Sequence, residues 1–245
     1  MSRISRLYSS TIGKKFIAAI TGIVLLLFLI GHVAGNLKAF AGVGSNGVVA
    51  IDEYGEFLRT AGHPIIPDYA ALWTARIVLL GCVVLHIIVV VQLALLSTAA
   101  RPIKYARSEK VASSWPARMM MISGLLVLAF IVFHILHFTT GTIRLGEFEE
   151  GKIFSNLANS FSIWPVAVGD TLMMIVLGFH LYHGIWSLFQ TLGLDNPDRN
   201  RMLRTLAVVL TVGIVVGFIS VPISFMAGLV PDAASGAAEL TKGVK

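Results

Sequence analysis

Charge is the scarcest thing in this chain. Only 13% of its 245 residues are Asp, Glu, Lys or Arg, against about 25% in soluble domains. With 56% apolar residues as well, it lacks the polar surface a soluble globule needs, and it falls among integral membrane proteins. Cysteine occurs once, as Cys82 inside an apolar run. That excludes an internal disulfide, and it excludes any Cys-based iron–sulfur cluster or Cys-rich zinc site within the chain. There is no glycine-rich nucleotide loop in a strand–turn–helix context. A small-residue cleavage site is also missing after the first apolar run, which follows Lys14 and Lys15 and ends near Asn36. That run is read as a retained span and not as a secretory signal.

What is present is apolar length. Five segments run from about 14 to 37, 70 to 98, 116 to 140, 165 to 191 and 203 to 229. Each is long enough to cross a hydrocarbon layer of about 30 Å as a helix rising 1.5 Å per residue. None alternates polar with apolar as barrel strands do. The expectation is an all-α fold: one membrane bundle of five helices forming a single domain over 1–245. The net charge of +6 follows the positive-inside rule and does not indicate nucleic acid. With the N-terminus in the cytoplasm, twelve of the 19 basic residues lie inside, including Arg101, Lys104, Arg107, Lys110, Arg199, Arg201 and Arg204. Seven lie outside, along with most of the loop acids. The C-terminus then lies outside.

The long loop after the first span contains VVAIDEYGEFLRT, read as a short helix. Val49, Phe57 and Leu58 would lie against membrane or bundle, with Asp52, Glu56 and Arg59 facing water. The loop before the fourth span carries EFEEGKIFSNLANSF, a second surface piece. Together they would lid the outer ends of the helices. Ser114 is placed to cap the third span, with Pro116 in its first turn. The tail after Pro231 is rich in Ala, Ser and Gly and reads as loosely ordered.

Histidine is the anomaly. LGFHLYHGIW (177–186) places His180 and His183 in mid-span, and ionisable groups inside a membrane are costly unless used. His32, His86, His134 and His137 lie in three other spans, whereas the fifth has none and is assigned to packing. Depth along the alternating helices sorts them into two layers. The outer layer holds His32 with His134 or His137, and the inner layer holds His86 with His180 or His183. About ten residues, or about 15 Å of helix, separate the layers.

A flat haem set edge-on between helices takes one neutral imidazole from each side. Two layers therefore point to two b-type haems. Without a CxxCH motif, covalent attachment is not expected. Zinc would need about four ligands in one layer, and the spans offer few acids, with Asp170 at an end. A proton path or helix–helix hydrogen bonding are the other uses such histidines can have.

Gly22, Gly31, Gly35, Gly81, Gly124, Gly178 and Gly184 would give room for a macrocycle or for ordinary close helix packing. Propionates would need basic or hydroxyl partners. Arg76 is a candidate at the outer layer, with Lys15, Arg118 and the deeper Ser123 toward the inner one. Trp73, Trp164 and Trp186 are read as interfacial belt residues. Met119–Met121 reads as packing.

In GHVAGN at His32, SGLLVLAFIVFH ending at His134 and FHLYHGIWSLFQTLG from Phe179, the chain resembles the five-helix, di-haem cytochrome b anchors of succinate:menaquinone oxidoreductases and quinol:fumarate reductases. The resemblance runs from about Lys14 to Leu229. It implies that His32 and His134 hold the distal haem, and His86 and His180 the proximal one. It leaves the roles of His137 and His183 open. It further implies a bacterial cytoplasmic membrane and a cytoplasmic flavoprotein (FAD) subunit with an iron–sulfur subunit. Menaquinone would then be the electron partner near the distal haem. Glu53 and Glu56 are the outer-loop acids offered for that quinone site. Chemistry on succinate would belong to the partner subunits. The alternatives are a di-haem anchor of another membrane dehydrogenase and a haem-free histidine-bearing transporter or proton channel.

Overall fold

The computed structural model describes residues 8–100 and 115–230. The basic residues Arg3, Arg6, Arg101, Lys104, Arg107, Lys110, Lys242 and Lys245, the cap Ser114 and the tail after Pro231 lie outside the described residues. Among the described residues seven α-helices follow one another: α1 (Thr11–Asn36), α2 (Ala50–Thr60), α3 (Ala70–Ala99), α4 (Trp115–His134), α5 (Ile153–Phe161), α6 (Trp164–Thr191) and α7 (Asn200–Met226). A 3-10 turn, Leu37–Phe40, extends α1, and a π turn, Ile135–Thr139, extends α4. Among the described residues there is no strand beyond an isolated Val43–Val49 bridge. That bridge closes the exposed turn containing the glycines of GVGSNG.

Five of these helices, α1, α3, α4, α6 and α7, are long and apolar enough to cross a membrane. The chain is thus all-helical and multi-pass in character. The ends are set by local chemistry. Ser10 caps α1, its Oγ accepting the Gly13 N–H at 2.9 Å. Pro165 sits in the first turn of α6, where its missing N–H costs nothing. Gly193 and Gly228 end α6 and α7 with φ of 69° and 65°. The Leu194 and Leu229 amides then reach back to the Phe189 and Ser224 carbonyls at 3.0 and 2.9 Å, satisfying last-turn acceptors.

The packed centre is made by α1, α6 and α7. Val33 shares one buried cluster with Met174, Leu177, Leu181 and Ile185 of α6 and Ala207, Ile214 and Phe218 of α7. The histidine-free α7 does serve packing, with Ala207 wholly buried. Small residues set the spacing, as expected where lipid supplies no hydrophobic drive between helices. A Cβ on Gly178 would lie 3.0 Å from Val215 Cγ2, so α6 and α7 touch there through the missing side chain. Helix α3 packs on α1 and α4 packs on α6. In contrast, α1 and α4 have no extended backbone packing between them, and neither do α3 and α6. Helices α1 and α4 therefore meet through side chains such as His32 and His134, while α1 also packs directly on α6.

Helices α2 and α5 pack together beside the ends of α1 and α7, where Ala39, Ile51 and Phe154 form a small core with Val49, Leu157 and Phe225. The buried face of α2 is Ile51 and Gly55. Val49 packs on the bundle as expected and Phe57 is exposed; the sequence expectation is corrected at Asp52, which does not simply face water. Its Oδ1 accepts the Phe154 N–H at 2.9 Å across the two helices.

Candidate functional site

The membrane histidines lie on α1, α3, α4 with its π turn, and α6. His32 of α1 and His134 of α4 stand with ring centres 6.0 Å apart and planes at 83°. Phe28 stacks on His32 at 5.1 Å, and Phe218 meets it at 5.6 Å. His134 lies between Phe130 and Phe138 at 5.7 and 5.2 Å. Its Nδ1 is buried with no hydrogen-bond partner among the described residues.

The second pair is built differently. His86 Nδ1 lies 3.0 Å from Thr21 Oγ1 on the neighbouring α1. Thr21 gives its own proton to the Ile17 carbonyl at 2.8 Å, with Ala18 at 3.2 Å. A hydroxyl has one proton, so Thr21 can only accept from the imidazole. In that arrangement His86 carries its proton on Nδ1, which leaves the Nε2 lone pair free. His180 repeats this on the other hairpin. Its Nδ1 lies 3.3 Å from Ser123 Oγ, whose proton goes to the Met120 carbonyl at 3.1 Å.

His137 and His183 do not stand in these pairs in the same way. His137, in the π turn, is buried and donates from Nδ1 to the Ile143 carbonyl at 2.9 Å. Ring contacts with Phe133 and Phe138 hold it. Its Nε2 is buried and unpartnered among the described residues. His183 is half-buried, one turn past His180.

The predicted supporting residues scatter. Ser123 is buried on α4, with its Oγ beside His180 Nδ1. Arg76 is exposed, with its guanidinium 5.1 Å over the Trp73 ring. Glu53 accepts from Asn46 Nδ2 at 3.0 Å, and Glu56 pairs with Arg59 at 3.2 Å; both acids are exposed on α2. The structure does not bring either to the histidines. Trp73 and Trp164 are exposed as belt residues should be, but Trp186 is buried, with the Arg204 guanidinium 4.3 Å over its ring.

The glycines divide by use. Gly22 and Gly124 face His86 and His180. Gly35 meets Tyr54 and Gly178 meets Val215. Gly31, Gly81 and Gly184 have no neighbour within 4 Å of a Cβ position.

The sequence carried one signal that residue-type reasoning passed over. Thr21-Gly22 precedes His32, and Ser123-Gly124 precedes His134, each by the same eleven residues counted from the hydroxyl. At about 100° per residue, eleven residues bring a helix back to within about 20° of the same face. One face of α1 and one face of α4 thus carry both a histidine of the outer pair and a support for the inner pair.

Among the described residues, no three His, Cys, Asp or Glu side chains converge as a metal-binding group. The class so defined is a multi-pass helical bundle with one facing pair of imidazoles, His32 and His134, and two further imidazoles, His86 and His180, each seated on a hydroxyl of the adjacent helix. No family model, curated protein or solved structure matches the chain.

Proposed function

We propose that this chain is the di-haem cytochrome b anchor of a succinate dehydrogenase or fumarate reductase, passing electrons between an iron–sulfur subunit and menaquinone. The carrying observation is the facing pair His32 and His134, with His86 and His180 each held on a hydroxyl of the neighbouring helix. A metal ion bonded to two imidazole nitrogens at about 2.0–2.1 Å each holds the ring centres about 6 Å apart, and His32 and His134 stand at 6.0 Å. Twofold donation suits a metal whose other ligands come with the cofactor, and it does not suit a structural zinc site. The unpartnered Nδ1 of His134 marks a ring not held by hydrogen bonding alone.

When bound, haem supplies one-electron chemistry inside an apolar span. The chain's own residues do the rest. His32 and His134 hold the outer group, and His86 and His180 the inner one. The aromatic rings about His32 and His134 keep water from that pair. Helices α2 and α5 shield the outer end. With the N-terminus in the cytoplasm, the basic inner surface, including Arg199, Arg201 and Arg204, offers a dock for the soluble iron–sulfur and flavoprotein subunits, and the lipid-soluble quinone is reached from within the bacterial cytoplasmic membrane. The twofold donor set also favours this over a histidine-lined ion path, which needs a continuous polar file.

Haem content per purified chain, with a reduced-minus-oxidised spectrum, tests the reading. Two b-type haems per chain and a copurifying flavoprotein are expected. Folded, membrane-inserted but colourless protein would overturn it. The pairing predicts that His180→Ala removes or loosens the inner haem and blocks electron entry, while His183→Ala does less. Equal haem loss in both variants would reverse that assignment.

A further inference from the structure

The duplicated hydroxyl–glycine pairs have a use of their own, resting on the haem reading above. We infer that Thr21 and Ser123 are positioning residues: each takes the Nδ1 proton of the histidine on the adjacent helix and leaves its Nε2 aimed at the inner haem iron. Three observations carry this. Each hydroxyl is buried and has spent its proton on a backbone carbonyl of its own helix. Each therefore accepts from an imidazole, at 3.0 Å for His86 and 3.3 Å for His180. Each is followed by a glycine beneath the same ring, where an added Cβ would lie 3.6 Å from His86 Cε1 or 3.3 Å from His180 Cε1. The two hairpins thus present the same seat twice, once for each ligand of one haem.

His134 has no such support, since its Nδ1 is unpartnered among the described residues. The layers therefore differ in kind. A hydrogen bond from Nδ1–H makes the imidazole a stronger donor, which favours oxidised iron. Loss of such supports typically weakens metal binding by about 10–100-fold. If removing one hydroxyl weakens the preference for oxidised iron tenfold, the one-electron potential rises by about 59 mV.

The test uses the full chain purified with whatever subunits accompany it. Redox titration followed by haem absorbance is compared for wild type, Thr21→Val, Thr21→Ser, Ser123→Ala and Ser123→Thr. Thr21→Val and Ser123→Ala are each expected to raise the potential of one haem, and the same haem in both cases, with the other unmoved. Thr21→Ser and Ser123→Thr should restore it. A purely packing role would not follow the hydroxyl in this way. Unchanged potentials in Thr21→Val and Ser123→Ala, with both haems present, would overturn the inference and leave the di-haem reading standing. So would shifts in two different haems. Wild type without haem would overturn the reading itself, and the inference with it. Nitrogen-15 spectra of histidine-labelled chain give a second readout. A proton on Nδ1 of His86 and His180 is expected, and a proton on Nε2 would overturn the assignment even where a variant folds poorly.

Discussion

At the scale of single residues, the two histidine seats differ in tightness. A Cβ on Gly124 would come within 3.3 Å of His180 Cε1, closer than a relaxed contact, whereas one on Gly22 would stand 3.6 Å from His86 Cε1. Gly124→Ala must therefore push the His180 ring aside by a few tenths of an ångström, and Gly22→Ala need not move His86. We expect Gly124→Ala to lower occupancy of the inner haem or broaden its spectrum, with Gly22→Ala close to wild type. Haem-to-protein ratio and low-temperature absorbance read both, and a larger effect from Gly22→Ala would contradict the seat geometry. The histidines themselves were legible in the sequence, because a titratable group amid apolar residues stands out. Thr21 and Ser123 were harder to read. Hydroxyls in membrane helices commonly turn back to their own carbonyls, and Ser123, though noticed, was assigned to a propionate. Only the neighbouring helix reveals that the remaining lone pair faces an imidazole.

At the scale of elements, the link between α2 and α5 depends on one carboxylate. Lys152 precedes α5 and supplies no side-chain cap. The amide of Phe154 is met instead by Asp52, 102 positions earlier. A carboxylate there also suits the partial positive charge of a helix start. Asp52→Ala should cost about 1 kcal/mol, as loss of a helix cap does, and it should loosen the outer lid more than the bundle. Faster proteolysis in the 141–152 loop with spans still protected would bear this out, and uniform destabilisation would not. Both helices were legible from their apolar spacing, but the face of α2 was not. Phe57 and Leu58 draw the eye as large apolar residues, yet burial went to Ile51 and to Gly55, whose bare Cα admits Ile153. A second element contact is as specific. Gly178→Ala would drive a methyl to within 3.0 Å of Val215 Cγ2. Overpacking of this kind costs about 1–3 kcal/mol, so the α6–α7 interface should loosen and thermal inactivation should begin at a lower temperature. No change in that temperature would mean that Val215 gives way freely.

For the whole molecule, the five spans were readable to within a few residues, because apolar length is a strong signal. The lack of close backbone packing between α3 and α6 was not, since periodicity says which residues are apolar but not which helices stand apart. Orientation rests on charge. Twelve of the 19 basic residues fall on one side of the bundle when the N-terminus is placed inside, and retention of Lys and Arg in the cytoplasm would then fix the whole chain. The turn after α6 and the turn before α2 must face opposite sides, because three crossings separate them. Ser45 and Asp198 are exposed in those turns, and the native Cys82 can be removed as Cys82→Ser. In that background, Ser45→Cys should react with a membrane-impermeant maleimide on intact cells and Asp198→Cys should not. Inside-out vesicles should give the reverse. Labelling of Asp198→Cys alone on intact cells would invert the bundle, bring α2 and α5 to the cytoplasmic face, and move the proposed dock for soluble subunits from the α6–α7 turn to that lid.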